Sequence, residues 1–126
     1  MENKKILVCD DDPGIIDLLG VILEDTGHDI ITEINSLNVP ALIEREKPDL
    51  LILDLWMPVV SGDQLLQMVR KNPDLENIPV IIISASRDGK AIANKFGATA
   101  FVAKPFDIDD LINTVELQFQ KTLLME

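Results

Sequence analysis

The chain has 126 residues, of which 47% are hydrophobic and 26% charged, and its 11 basic and 22 acidic residues give a formal net charge of -11. These values predict one soluble globular domain over residues 1–126, exclude a disordered chain, and argue against direct nucleic-acid binding, which needs Lys and Arg for the phosphates. The chain has one cysteine, no apolar run long enough to span a bilayer and no signal-peptide layout, so we expect a cytoplasmic protein without a membrane role.

Strand and helix signals alternate along the whole sequence. The first strand is predicted at residues 6–8, and Asp12 and Pro13 then open a helix that Gly27 stops. Further strands are predicted at residues 29–33, 50–54, 79–83 and 99–103, and further helices at residues 40–46, 63–71, 89–96 and 108–123. Five strands alternating with five helices predict an α/β domain whose parallel sheet is covered on both faces by right-handed crossovers.

Four of the predicted strands end in side chains that can carry chemistry. These side chains are Asp10 and Asp11 after the first strand, Asp54 at the third, Ser84 at the fourth and Lys104 at the fifth. Because the carboxyl ends of parallel strands meet at one edge of the sheet, we expect these groups to lie together. A bound Mg²⁺ would relieve the repulsion among the acids, and the lysine and the hydroxyl could contact further oxygens. The set indicates a carboxylate nucleophile beside a metal that stabilises a phosphoryl group.

The residues around these positions resemble the receiver domain of two-component response regulators. The resemblance is carried by residues 6–13, residues 53–58 with Gly62, residues 82–85 and residues 101–106, in the right order and spacing. It extends over nearly the whole chain. It implies a flavodoxin-like, CheY-like fold, which is a single doubly wound sheet of five parallel strands in the order 2-1-3-4-5 with five helices.

The resemblance implies a phosphoacceptor and a metal site. Asp54 would accept a phosphoryl group from the phosphohistidine of a histidine kinase or of a histidine phosphotransfer domain. Mg²⁺, or Mn²⁺ in its place, would be bound by Asp10, Asp11, Asp54 and the backbone carbonyl of Trp56. The protein would catalyse only its own phosphorylation and dephosphorylation, so it would not be a conventional enzyme. The kinase would dock on the first helix around Gly14, Ile15 and Leu18.

The resemblance also implies how the phosphoryl group is read. Ser84 and Lys104 would contact its oxygens, and Ser84 with Phe101 would form a switch that changes the surface offered to an output partner, whose identity the sequence does not specify. The Lys104-Pro105 peptide bond would be cis. The interval between Ser84 and Lys104 is about two residues shorter than in many members of this family, which predicts a trimmed fourth helix or entry loop.

Three other functions share part of the pattern. One is a degenerate receiver that acts as a phosphorylation-independent binding module, although the acid, hydroxyl and lysine set is complete. Another is a phosphohydrolase of the haloacid-dehalogenase type, which places a second acid two residues after the nucleophile, where this chain has Trp56. The third is a flavodoxin-like nucleotide-binding protein, but no Gly-rich phosphate loop follows the first strand.

Several residues near the predicted site have a simpler interpretation. Asp12 precedes Pro13 and is predicted to cap the first helix. Cys9 ends the apolar segment of residues 5–9 that contains the first strand, and it is interpreted as a small buried hydrophobe. His28 has no Cys or His neighbours in sequence, so neither a metal role nor a phosphorelay role is predicted for it.

Overall fold

A computed structural model describes residues 3–125 of the chain, and the side chains of residues 3–120. Residues 1, 2 and 126 of the predicted domain lie outside the described residues. The strands are β1 (Lys5–Cys9), β2 (Asp29–Glu33), β3 (Leu50–Asp54), β4 (Val80–Ser84) and β5 (Ala100–Ala103). The α-helices of this part of the chain are α1 (Pro13–Glu24), α2 (Val39–Glu46), α3 (Gly62–Lys71), α4 (Gly89–Lys95) and α5 (Ile108–Met125), and a 3₁₀ turn (Ser36–Asn38) precedes α2.

The five strands form one parallel sheet in the order β2-β1-β3-β4-β5. The predicted fold class and strand order are therefore confirmed. The register aligns the carboxyl ends of the strands, since Cys9 pairs with Leu53, Asp54 with Ile83 and Ser84 with Ala103. Residues that follow these strands consequently meet at one edge of the sheet.

The side chains of the strands alternate between the two faces of the sheet, and helices cover both faces. One face packs against α2, α3 and α4, and its strand residues include Leu7, Leu51, Leu53, Val80 and Ile82. The other packs against α1 and α5, and its strand residues include Ile6, Val8, Leu50, Ile52, Ile81 and Ile83. In the part of the chain that the structure describes, no helix has both the length and the apolar content to cross a membrane.

Helix α1 begins as predicted and ends earlier than predicted. The Asp12 carboxylate accepts the backbone N–H groups of Gly14 and Ile15 at 2.8 and 3.3 Å, which confirms its capping role. The helix ends at Glu24, and a turn leads to Gly27, whose φ of +89° suits glycine. The N–H groups of Thr26 and Gly27 donate to the carbonyls of Leu23 and Glu24, so these two carbonyls at the helix end are satisfied within the turn.

The strands β2 and β3 have the predicted bounds, and the bounds of the remaining predicted elements differ by at most two residues. One further element was not predicted. That element is the 3₁₀ turn at Ser36–Asn38, where the side chain of Asn35 accepts the N–H of Leu37 at 3.1 Å. The turn has three residues, which is too short for a hydrophobic periodicity to mark it in the sequence. Strand β5 begins at Ala100 rather than at residue 99. Thr99 precedes it, and the Thr99 hydroxyl accepts the N–H of Val80 at 2.9 Å.

Arg70 of α3 joins segments at the amino-terminal edge of the sheet, opposite the edge on which the predicted site lies. Its guanidinium donates to the carbonyls of Gly97 and Ile78 at 2.9 and 2.7 Å, and also to the carbonyl of Glu76 and the hydroxyl of Thr99. These acceptors lie on the segments that enter β4 and β5. A planar guanidinium with several fixed donors is suited to joining segments in this way.

Gly62, the first residue of α3, allows that helix to begin directly against the backbone of Asp54. Its N–H donates to the carbonyl of Leu55 at 2.8 Å. A Cβ added at Gly62 would lie 2.2 Å from the carbonyl oxygen of Asp54, a distance that no relaxed contact tolerates. The close approach explains why glycine occupies this position.

Gly62→Ala is therefore expected to lower the free energy of unfolding by about 2 to 4 kcal/mol, because backbone atoms must move to admit the methyl group. Gly20→Ala is the matched control, since Gly20 lies inside α1 and an added Cβ would be 3.5 Å from its nearest neighbour, Thr32. That variant should gain about 0.5 to 1 kcal/mol from helix propensity. Urea titrations measure both values, and equal effects of the two substitutions would contradict the packing argument.

Candidate functional site

Three carboxylates meet at the carboxyl edge of the sheet. One oxygen from each of Asp10, Asp11 and Asp54 lies within 4.8 Å of the others. Asp10 follows β1 and Asp54 ends β3, and these strands are neighbours in the sheet. Asp10 and Asp54 are buried, with Asp54 only 6% exposed, whereas Asp11 is exposed. The topology thus brings together three of the predicted site residues.

The ammonium group of Lys104 lies between the two buried acids. Its Nζ is 2.7 Å from Oδ2 of Asp10 and 3.0 Å from Oδ1 of Asp54. The backbone N–H of Lys104 donates to the carbonyl of Ser84 at 2.9 Å, which ties the end of β5 to the end of β4. The Lys104-Pro105 peptide bond is cis, as the resemblance implied. Lys104 therefore reaches the site from a backbone that is held in place.

The orientation of Asp10 is set by further hydrogen bonds. Its Oδ1 accepts the backbone N–H of Asp12 at 3.0 Å, while its Oδ2 faces Lys104. Its own N–H donates to the carbonyl of Glu33 at 3.2 Å. The carboxylate is consequently fixed before any ligand binds.

The electrostatics of the site favour the binding of further positive charge. Burial raises the pKa of Asp54 from 3.8 to about 6. The neighbouring Asp10 and Asp11 also raise it, whereas the contact with Lys104 opposes the rise. For Lys104, burial alone would lower the pKa, but the hydrogen bonds to Asp10 and Asp54 outweigh burial and the pKa is raised. The lysine is thus charged at neutral pH, and it compensates only part of the negative charge of the three acids.

The donor set fits a divalent metal of the Mg²⁺ type. Carboxylate oxygens are the ligands that Mg²⁺ and Mn²⁺ prefer, and Mg²⁺ is commonly held by one or two carboxylates with water completing its shell. The exposed position of Asp11 leaves one side of the cluster open to solvent. Trp56, whose carbonyl was predicted as a ligand, follows Asp54 by two residues, and its side chain is exposed.

Ser84 and Phe101 lie against the first turn of α4. Ser84 is buried at the end of β4, and its Oγ accepts the N–H of Ser86 at 3.0 Å. A Cβ added at Gly89 would lie 2.9 Å from Cβ of Ser84 and 3.0 Å from Cε1 of Phe101. Phe101 is half-buried and packs on the core cluster that lies beneath α4. The glycine allows both predicted switch residues to contact the same helix end.

Cys9 and His28, for which no chemical role was predicted, make structural contacts. Cys9 is buried, and burial above all raises the pKa of its thiol to about 12, which agrees with its interpretation as a hydrophobe. The Nδ1 of His28 accepts the N–H of Lys4 at 3.1 Å, and its Nε2 lies 3.0 Å from Oε1 of Glu116. His28 therefore connects the segment before β2 to the segment before β1 and to α5.

The loop between β3 and α3 has a feature that the sequence analysis missed. Val59 has a φ of +71°, in a region where a β-branched residue is a rare outlier. The carbonyl of the preceding Pro58 accepts the hydroxyl of Ser36 from the 3₁₀ turn. The sequence carries no signal for either feature, because valine ordinarily indicates extended structure and the bond joins segments 22 residues apart.

Comparison with known proteins assigns the chain to a family. The model of the response regulator receiver domain matches residues 6–116. The chain belongs to this receiver family. The recognition made from the sequence is confirmed, and the chain is a receiver domain of the two-component type, a signalling phosphoacceptor rather than a conventional enzyme.

Individual relatives agree with this assignment. Sporulation initiation phosphotransferase F of Bacillus subtilis is 35% identical over 118 residues, which cover 92% of this chain and 94% of that protein. The DNA-binding dual master transcriptional regulator RpaA of Synechocystis sp. is 32% identical over 120 residues, which cover 94% of this chain and 50% of that protein. The receiver domain of the Francisella response regulator 1452 superposes with a TM-score of 0.86 at 34% identity, covering 95% of this chain and 99% of that one.

The relatives differ in length relative to this receiver domain. The chain spans half the length of the regulator RpaA, and nearly the whole length of the sporulation phosphotransferase. Similar receivers therefore occur both within longer regulators and as proteins of about this size.

The raised pKa of Asp54 predicts a pH-dependent difference between the metal-free wild type and Asp54→Asn. The unfolded chain releases the Asp54 proton near pH 4, whereas the folded chain holds it until about pH 6. The wild type is therefore stabilised by this proton at low pH, and it loses that stability as the pH rises through about 6. Asn does not titrate. The stability of Asp54→Asn relative to wild type should therefore increase by about 1 to 2 kcal/mol between pH 4.5 and 7.5.

Urea unfolding in EDTA at several pH values measures this difference. A stability difference between the two proteins that stays constant from pH 4.5 to 7.5 would contradict the raised pKa. Saturating Mg²⁺ should reduce the difference at pH 7.5, because the metal would stabilise the wild-type carboxylate more than the amide.

Proposed function

We propose that Asp54 of this receiver accepts a phosphoryl group from the phosphohistidine of a histidine kinase or a histidine phosphotransfer domain. The observation that carries the proposal is the contact of one ammonium group, that of Lys104, with the buried carboxylates of Asp10 and Asp54 beside a third acid, Asp11. Mg²⁺ or Mn²⁺ would be held by these three acids and by the backbone carbonyl of Trp56. The metal would neutralise charge on the incoming phosphoryl oxygens.

The transfer is a displacement at phosphorus. An oxygen of the Asp54 carboxylate forms the new P–O bond, while the P–N bond of the phosphohistidine breaks and the imidazole leaves. The fixed position of Asp54 at the end of a buried strand supports an in-line approach, because the carboxylate needs no reorganisation before attack. Reaction with water would later cleave the acyl phosphate and restore the carboxylate.

Lys104 and Ser84 would stabilise the phosphorylated state. The ammonium group of Lys104 is already 3.0 Å from Asp54 and would move with the negative charge to the phosphoryl oxygens. The hydroxyl of Ser84, at the end of the neighbouring strand, is the donor predicted for another oxygen. Its oxygen now accepts the N–H of Ser86, and this accepted bond leaves the hydroxyl hydrogen available to donate.

A displacement of Ser84 towards the phosphoryl group would reach the output surface through α4 and Phe101. Both side chains pack at Gly89, so a displacement of Ser84 changes the space available to the aromatic ring. We propose Ser84 and Phe101 as the switch that presents a changed surface to an output partner or effector domain. Their shared contact with Gly89 supports this role.

The remaining expectations form part of the same proposal. Residues 1–126 would act as one receiver domain. Direct binding of nucleic acid by this chain is disfavoured by its net charge of -11. A cytoplasmic location is supported by the one cysteine, which is buried and free. The kinase or phosphotransfer partner would dock on α1 around Gly14, Ile15 and Leu18, where Leu18 is an exposed apolar side chain.

The direct test is the intact mass of the protein after incubation with acetyl phosphate and Mg²⁺. The wild type should gain one phosphoryl group, since the metal and Lys104 together neutralise the charge that otherwise repels the donor. Asp54→Asn and wild type in EDTA should gain none.

An adduct on Asp54→Asn would contradict the assignment of the acceptor. If the wild type gives no adduct with acetyl phosphate, a beryllofluoride titration followed by the fluorescence of Trp56 distinguishes rapid hydrolysis from an inactive site. If neither a mass adduct nor a fluorescence change is observed, the phosphorylation-independent binding module would be favoured. Steady release of phosphate from an added phosphomonoester would favour the phosphohydrolase.

Docking on α1 predicts that Leu18→Asp slows phosphotransfer from a kinase at least about tenfold, because a charge would enter the apolar centre of the interface. The donor would be the phosphorylated core of whichever histidine kinase in a panel transfers fastest to the wild type. The rate with acetyl phosphate should stay unchanged, because that donor needs no protein surface.

Leu117→Asp is the matched control for this experiment. Leu117 lies on α5 and is 47% exposed, the same exposure as Leu18. This variant should keep the wild-type rate with both donors. Equal rates of kinase transfer to Leu18→Asp and Leu117→Asp would contradict docking on α1.

A further inference from the structure

Ser36 connects the 3₁₀ turn before α2 to the loop that follows the phosphoacceptor. Its side chain is buried, with 3% of the residue exposed, and its hydroxyl donates to the carbonyl of Pro58 at 3.1 Å. The same carbonyl accepts the N–H of Val60 at 2.9 Å. Pro58 therefore receives two hydrogen bonds, one local and one from a different segment of the chain.

The bond from Val60 to Pro58 closes a γ-turn with Val59 at its centre. A γ-turn whose central residue has positive φ is a strained conformation, and the φ of Val59 is +71°. The strain is largest for β-branched residues, which clash with their own backbone there. Val59 is 75% exposed, so burial of its side chain does not compensate for the strain. The strain favours opening of the turn, and the hydroxyl of Ser36 is a described contact from outside the turn that opposes it.

The rest of this loop is held only at its ends by the backbone bonds that the structure describes. The N–H of Leu55 donates to Ile83 in β4 at 2.9 Å, and the N–H of Gly62 donates to Leu55 at 2.8 Å. Trp56 lies between these anchors and the γ-turn. Met57, the next residue, is buried, and its Sδ lies 3.6 Å from the Sγ of Cys9. Among the described contacts, the position of the Trp56 carbonyl thus depends on this packing and on the conformation of the turn that follows.

We propose that Ser36 is a positioning residue for the divalent-metal site. Its hydroxyl holds the strained turn at Val59 closed, and the closed turn places the Trp56 carbonyl at the edge of the acid cluster. The inference rests on the proposed function, because it assumes that this carbonyl is a metal ligand. It assigns a role in metal binding to a residue that touches neither the metal ligands nor the phosphoryl group.

The test is a Mg²⁺ titration of the full chain, followed by calorimetry and by the fluorescence of Trp56, its only tryptophan. Ser36→Ala should weaken Mg²⁺ binding roughly three- to tenfold, as expected for loss of a group that orients a ligand. Ser36→Thr keeps the hydroxyl and should stay within about twofold of wild type.

Thr26→Ala is the matched control. The hydroxyl of Thr26 also donates to a backbone carbonyl, that of Leu23. Thr26 follows the carboxyl end of α1, which is the end remote from the acid cluster. This variant should bind Mg²⁺ with wild-type affinity. A loss equal to that of Ser36→Ala would overturn the proposal, because the effect would then reflect general loss of stability.

The role of strain is tested by combining the substitution with Val59→Gly. Glycine adopts positive φ without a steric penalty, so the turn would no longer need the hydroxyl to stay closed. In the Val59→Gly background, Ser36→Ala should change the Mg²⁺ affinity less than about twofold. An undiminished loss in that background would overturn the coupling between Ser36 and Val59.

The outcomes separate this proposal from the proposed function. If the wild type binds Mg²⁺ and is phosphorylated on Asp54 while Ser36→Ala binds Mg²⁺ as tightly, the positioning role is wrong and the phosphoacceptor stands. A wild type that binds no Mg²⁺ would overturn both. If Ser36→Ala fails to fold, Ser36→Cys replaces it, because a thiol is a weaker donor of similar size and should give about a threefold loss.

Discussion

The contact of the Lys104 ammonium group with Asp10 and Asp54 is the interaction on which the functional edge of this receiver depends. Two carboxylates buried side by side are unfavourable unless a cation and hydrogen bonds compensate for their lost hydration. Lys104 supplies one positive charge, and Asp10 gains a second partner in the N–H of Asp12. One lysine cannot balance the charge of three acids. The edge therefore keeps a net negative charge, which a bound divalent cation would neutralise.

This contact can form only after most of the chain has folded. Lys104 is 94 residues from Asp10 and 50 residues from Asp54 along the sequence. The three residues meet because β1, β3 and β5 are parallel and helical crossovers return each strand in the same direction. The site therefore depends on the pairing of several strands. A variant that disturbs the pairing of β4 with its neighbours would change the distances from Lys104 to Asp10 and Asp54.

The elements that were predicted correctly owe their structure to local sequence. The strands at residues 50–54 and 79–83 are nearly continuous aliphatic runs because both faces of the sheet are covered, and the Asp12-Pro13 pair starts α1 wherever the rest of the chain lies. The edge on which Asp10, Asp54 and Lys104 meet followed from strand direction alone. Family resemblance supplied the strand order and the cis peptide bond, which the residues by themselves did not specify.

The features that were not predicted depend on contacts between distant segments. Val59 adopts a conformation against its own preference because the loop around it is closed at both ends and bonded to Ser36. Arg70 would be assigned to the surface from its position on an amphipathic helix, yet it donates to carbonyls on two other segments. Neither contact leaves a pattern in sequence, since any residue supplies a backbone carbonyl.

The two edges of the sheet use their cations differently, and the difference bears on how α4 could respond to phosphorylation. Arg70 donates to uncharged acceptors, among them the carbonyl of Gly97 directly after α4, so its contacts do not depend on the charge of the site. Lys104 contacts carboxylates, and the proposed phosphorylation of Asp54 would change their charge. Helix α4 is thus anchored near its carboxyl end by Arg70, while Gly89 at its amino end packs on Ser84 and Phe101. A shift of Ser84 towards Asp54 would act on the amino end of the helix and turn the helix about its carboxyl end.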